Sequence, residues 1–83
     1  MRLAIKYFAR LREQLGCAEE TLEVATPLRV TELIELLQQR GEPWRGQLCD
    51  PVLMVAVNQC MTTRAQQLGD GDEVAFFPPV TGG

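Results

Sequence analysis

Eighty-three residues, 46% apolar and 23% charged, suit one small globular domain and leave no room for a second core. No apolar run approaches the length of a membrane span, and a net charge of −3 without a continuous basic stripe argues against membrane and nucleic-acid partners. Met1-Arg2-Leu3 opens on strand-like residues rather than a leader, so a cytoplasmic location is expected.

Residues Arg2 to Phe8 alternate, with Leu3, Ile5 and Tyr7 on one face and Arg2, Ala4, Lys6 and Phe8 on the other. That is the period of a half-buried strand, and the charges mark the second face as the wet one. Phe8 is thereby expected to point outward. Ala9 to Leu15 reads as a short helix with Leu11 and Leu15 one turn apart, stopped by Gly16. Glu20 to Val24 reads as a second strand, with Leu22 and Val24 inward, Glu20 and Glu23 available to solvent, and Pro27 breaking it.

The clearest helix is Val30 to Arg40. Val30, Leu33, Ile34 and Leu37 form one apolar stripe at i, i+3, i+4 and i+7, and Gly41 closes it. Arg29 stands where a hydroxyl cap would complete a capping box with Glu32, which leaves the start of the helix open. Pro43 to Cys49 is a connector with room for one helical turn, and Trp44 reads as a lid on the core edge. Val52 to Val57 is the most strand-like run, with Leu53, Val55 and Val57 on one face. Asn58-Gln59 turns it into a short return strand, Cys60 to Thr63. Gly69 and Gly71 make another turn before the last strand, Glu73 to Phe77. There Val74 and Phe76 share one face, and Ala75 and Phe77 the other.

Two strands, one main helix and two or three further strands make an α+β domain. A helix with one apolar stripe and a sheet with one face to cover satisfy each other. The expected architecture is a β-grasp (ubiquitin-like) roll over residues 1–77: a mixed sheet of four to five strands on one helix, first and last strands parallel central neighbours. Residues 78–83 form a separate flexible tail.

Chemistry-bearing residues are few. There is no histidine, so acid–base chemistry near neutral pH would need a perturbed carboxylate or lysine. Cys17, Cys49 and Cys60 lack any C-x-x-C spacing, which suits neither a disulfide framework nor a zinc site. Asp70, Asp72 and Glu73 cluster around glycines but lack the spacing of a calcium loop, and a turn before a strand accounts for them. The chain is not expected to be catalytic alone or to hold a metal. Two features remain. Phe8, Met61 and Phe77 form an expected apolar patch on the outer sheet face, the kind of surface a partner covers. The tail Pro78-Pro79-Val80-Thr81-Gly82-Gly83 follows it, and its prolines cannot extend a ladder and favour a stiff projecting form. From Pro79 to Gly83 it reaches roughly 16 Å at most. Gly82 and Gly83 carry no Cβ and fit a narrow channel, with the α-carboxylate as the reactive group.

The run Asp70-Gly71-Asp72-Glu73-Val74-Ala75-Phe76-Phe77-Pro78-Pro79-Val80-Thr81-Gly82-Gly83 resembles the C-terminus of molybdopterin synthase small subunits, a family of ubiquitin-like sulfur carriers. Tyr7-Phe8-Ala9-Arg10-Leu11-Arg12-Glu13 and Ala56-Val57-Asn58-Gln59 are similar to that family as well. The resemblance implies that a ubiquitin-activating-type adenylyltransferase spends ATP to adenylate Gly83, and that a persulfide donor then converts it to a thiocarboxylate, 1-thioglycine. The tail would enter the large subunit's active site, in an assembly of two small and two large subunits. Sulfur would pass there to cyclic pyranopterin monophosphate, and two rounds would build the molybdopterin dithiolene. No tightly bound cofactor is implied. A carrier for thiamine synthesis or tRNA thiolation, or a β-grasp binding module without sulfur chemistry, are the rival readings.

Overall fold

In the computed structural model, which describes residues 1–25 and 27–79, the N-terminal alternation becomes β1, Arg2–Tyr7. Leu3, Ile5 and Tyr7 are buried in it, and Phe8 beyond its end is exposed. The chain then turns sharply at Ala9 (φ 54°) into α1, Ala9–Leu15, whose end is set by Gly16 in the left-handed region (φ 66°). The Gly16 amide donates to the Arg12 carbonyl at 3.0 Å, closing the helix as a residue without a Cβ can. β2, Glu19–Glu23, returns antiparallel to β1, with Leu3 opposite Leu22.

The apolar stripe forms α2, Val30–Gln38, and Val30, Leu33, Ile34 and Leu37 are all buried. The helix ends two residues earlier than its pattern predicts. The Arg40 and Gly41 amides bond three residues back, to Leu37 and Gln38, tightening the chain out of the α-helical spiral. At its start Glu32 Oε1 accepts from the Arg29 amide at 2.9 Å. That is half of a capping box, because a guanidinium has no acceptor to return the bond.

A single turn, α3 (Trp44–Gln47), carries the lid tryptophan: the Tyr7 and Trp44 rings meet edge to face with centroids 5.3 Å apart. β3 covers Met54–Val57 and starts later than expected. Asp50 accepts the amides of Val52 (side chain, 2.9 Å) and Leu53 (carbonyl, 3.1 Å), holding those residues in a turn. Asn58 and Gln59, both at positive φ (51° and 68°), make the two-residue turn into β4, Cys60–Thr62. β5, Glu73–Phe77, then enters the middle of the sheet.

The strand order is β2-β1-β5-β3-β4, with β1 and β5 parallel and the other pairs antiparallel. This is the β-grasp roll, and its first and last strands are central neighbours as expected. Leu3, Ile5, Val55, Val74 and Phe76 from the sheet meet Val30, Leu33 and Leu37 from α2 in one core. Each such side chain contributes about 1.5–3 kcal/mol on burial. Among the described residues, the other sheet face carries no layer of helix.

One expectation is corrected here. Glu20 shares its parity with Leu22 and lies on the helix side, where it is gripped rather than left to solvent. Tyr7 Oη donates to its Oε2 at 2.7 Å, and Arg40 donates to both oxygens at 3.0 and 2.8 Å. The Arg40 guanidinium also lies 4.4 Å from the Trp44 ring centroid, so one cluster ties β1, β2, α3 and the turn after α2 together. The Arg40 hydrogen bonds hold the Glu20 carboxyl below its ordinary value of 4.5, while burial and the neighbouring carboxylate push the Tyr7 phenol well above its own. A depressed folded-state value means that the stability contributed by Glu20 is complete above 4.5 and disappears as pH falls through the folded value. Glu20→Gln should therefore lower stability at neutral pH by about 1–3 kcal/mol. Below pH 4.5 its denaturant midpoints should fall less steeply than those of the wild type.

Candidate functional site

Alternation on β1, β5 and β3 puts the residues that do not enter the core onto the open sheet face. Register arranges them in two rows. Phe8 follows Tyr7, which pairs with Phe76, so Phe8 lies beside Phe77, and Phe77 pairs with Met54. The second row runs Lys6, Ala75, Ala56, Met61. The Phe8 and Phe77 rings stack at 4.7 Å with only 8° between their planes. Phe8 remains 39% exposed, Met54 38% and Met61 56%, whereas Ala75 and Ala56 lie buried between the larger side chains as a floor.

The structure thus brings Phe8, Met61 and Phe77 onto one face and adds Met54 to them. Sequence reasoning named only the inward residues of the third strand and passed over Met54, although its parity with Ala56 placed it outside. Phe77 is half-buried rather than fully exposed, because Phe8 covers one side of its ring. A contiguous apolar surface of this kind is large for so small a domain.

Charge borders the patch on one side. Lys6 Nζ lies 3.3 Å from Glu73 Oε1, so the second row ends in an ion pair. The Phe8 amide donates to the Phe76 carbonyl at 3.2 Å, fixing the end of β5 against the start of α1. From there the chain passes into Pro78 and Pro79, both half-buried. A partner that covers the patch therefore meets the beginning of the tail too. Val80, Thr81, Gly82 and Gly83, the remaining residues assigned to the site from sequence, lie outside the described residues.

The glycine-rich carboxylates behave as turn residues. Asp70 Oδ1 accepts the Arg2 amide at 2.7 Å, and Asp72 accepts from the Gly69 amide at 2.7 Å and the Asn58 side chain at 3.0 Å. Their oxygens are engaged in holding β5 between its neighbours. Cys17 packs against the core, and burial pushes its thiol up, away from the reactive thiolate; Cys49 and Cys60 are exposed.

A five-stranded sheet with an apolar open face, in a chain whose sequence ends in Gly-Gly, has known counterparts. The family model described as the ThiS family matches residues 5–83. The chain belongs to the ThiS family. Within that family's range, the chain is 39% identical over 82 residues to the molybdopterin synthase sulfur carrier subunit of Escherichia coli (strain K12), covering 98% of this chain and 99% of that one. It is 41% identical over 86 residues to the subunit of the same name from Mycobacterium tuberculosis, covering 100% and 99%. Among solved structures, a putative molybdopterin converting factor subunit 1 from Pyrococcus furiosus superposes with a TM-score of 0.80 at 35% identity, covering 96% and 99%. The ThiS family match spans both the patch and the tail.

Proposed function

We propose that this chain is the sulfur-carrier subunit of a molybdopterin synthase. Full-length similarity to subunits named for that role carries the reading, and the docking face supports it. Its chemistry resides in the C-terminal carboxylate. A carboxylate is a poor electrophile, so Gly83 first attacks the α-phosphate of ATP on a ubiquitin-activating-type adenylyltransferase, releasing pyrophosphate. The acyl adenylate has AMP as its leaving group: the outer sulfur of a persulfide displaces it to give an acyl disulfide, and a thiol then attacks the inner sulfur, forming a disulfide and expelling the thiocarboxylate of 1-thioglycine. That sulfur is then the nucleophile toward cyclic pyranopterin monophosphate, and hydrolysis returns the carboxylate. Two such deliveries complete the dithiolene.

Under this reading the small domain positions its tail and the partners supply the acid–base groups. The patch of Phe8, Met54, Met61 and Phe77 docks first on the activating enzyme and then on the large subunit, in an assembly of two small and two large subunits. The deciding experiment is the intact mass of the protein after incubation with ATP, activating enzyme and a sulfur source. Replacement of one oxygen by sulfur adds about 16 Da, and an unchanged mass removes the proposal.

Gly82 tests the channel. A β-branched side chain there meets the wall of any passage fitted to a bare backbone. Gly82→Val should melt like the wild type yet lose adenylation or transfer. Normal turnover by that variant would mean that the passage is wide.

A further inference from the structure

We propose that a second copy of this chain pairs with the open edge of β4, antiparallel and centred on Met61, to make a weak symmetric dimer with one continuous sheet. The two sheet edges differ in their defences. β2 carries Glu19, Glu20 and Glu23 and would bring carboxylates together on self-pairing, whereas β4 is Cys60-Met61-Thr62, without charge or proline. The ladder fixes which β4 groups are free. The Asn58 amide bonds the Glu73 carbonyl at 2.8 Å, so even-numbered residues of β3 bond to β5 and odd-numbered ones to β4. Val57–Cys60 and Val55–Thr62 are therefore the hydrogen-bonded pairs, and the Met61 N–H and C=O both point to the open edge.

A two-fold axis through that position lets each Met61 exchange both of its bonds with the second copy's Met61 and sets Cys60 opposite Thr62. The side chain of Met61, 56% exposed, then packs against its own mate, and the two apolar patches join into one surface. Three residues a side fall far short of the roughly 1,200 Å² of a stable interface, so the pairing belongs to concentrations on the order of 0.1–1 mM. Because Met61 also lies on the docking face, self-pairing and partner docking compete for it.

Sedimentation of the full chain across that concentration range, with exchange of the Met61 amide followed by NMR, tests this on the free protein. Neither readout involves sulfur, so its failure is distinct from failure of the carrier reading. The expected result is a monomer–dimer equilibrium with the Met61 amide protected as concentration rises. Met61→Lys places like charges directly opposite each other, and should weaken association at least about tenfold while melting as the wild type does. A chain that remains monomeric up to about 2 mM overturns the proposal. So does a dimer whose Met61 amide exchanges freely, or one that survives Met61→Lys.

Discussion

Deleting Gly83, or adding one residue beyond it, should abolish sulfur transfer and leave thermal stability within about 0.5 kcal/mol of the wild type. Among the described residues the buried core ends at Phe76, seven positions before Gly83, so neither change touches it. The extended variant is the sharper of the two because it retains a terminal carboxylate and only moves it. Reacting groups must lie about 3–3.5 Å apart and aligned, and a whole residue displaces the carboxylate by roughly that distance. The check is product formation in the reconstituted system, with melting followed in parallel. An extended chain that still works at the wild-type rate would remove the terminal carboxylate from the mechanism.

Phe76→Ala and Phe77→Ala should separate folding from recognition at adjacent positions. Phe76 is fully buried and stacks with Tyr7 at 6.1 Å, so its truncation should cost roughly 3–5 kcal/mol of folding stability. Phe77 faces outward, against Phe8 and opposite Met54. Its truncation should cost little in folding but about 1–3 kcal/mol in binding to the activating enzyme or the large subunit, if it is a central anchor. Denaturant midpoints and partner affinities for both variants provide the measurement. The reverse pattern, with Phe77→Ala melting early and Phe76→Ala folding well but binding weakly, would contradict the register of β5.

Strand parity made most of this legible before any coordinates. Leu3, Ile5 and Tyr7 alternate with Arg2, Ala4 and Lys6, and Val74 and Phe76 alternate with Ala75 and Phe77. A period of two thus distinguishes core from surface without tertiary information. Glu20 shows where that logic was set aside. Its parity points inward, but a carboxylate is readily assigned to solvent, and the groups that satisfy it lie 13 residues before and 20 after in sequence. No local pattern announces such a pairing. The late start of β3 and the early end of α2 have a similar origin: Asp50 and the residues after Gln38 form local turns that compete with the longer pattern. Pro-Pro and Gly-Gly singled out the tail as residue types, whereas its path is not something composition can supply.

The parallel pairing of β1 with β5 bears on how the partners choose their substrate. Ala4 and Glu73 are neighbours in space although 69 positions separate them, so this contact closes almost the longest loop the chain permits. Such non-local pairings are slow to form, and a partly folded β1–α1–β2 unit lacks them. The stacked pair of Phe8 and Phe77 exists only once β5 has inserted between β1 and β3. A partner that reads this pair is therefore also inspecting the molecule for completion. On the proposed carrier reading, unfinished or misregistered chains, whose sequences end in the same two glycines, would fail that inspection and escape adenylation.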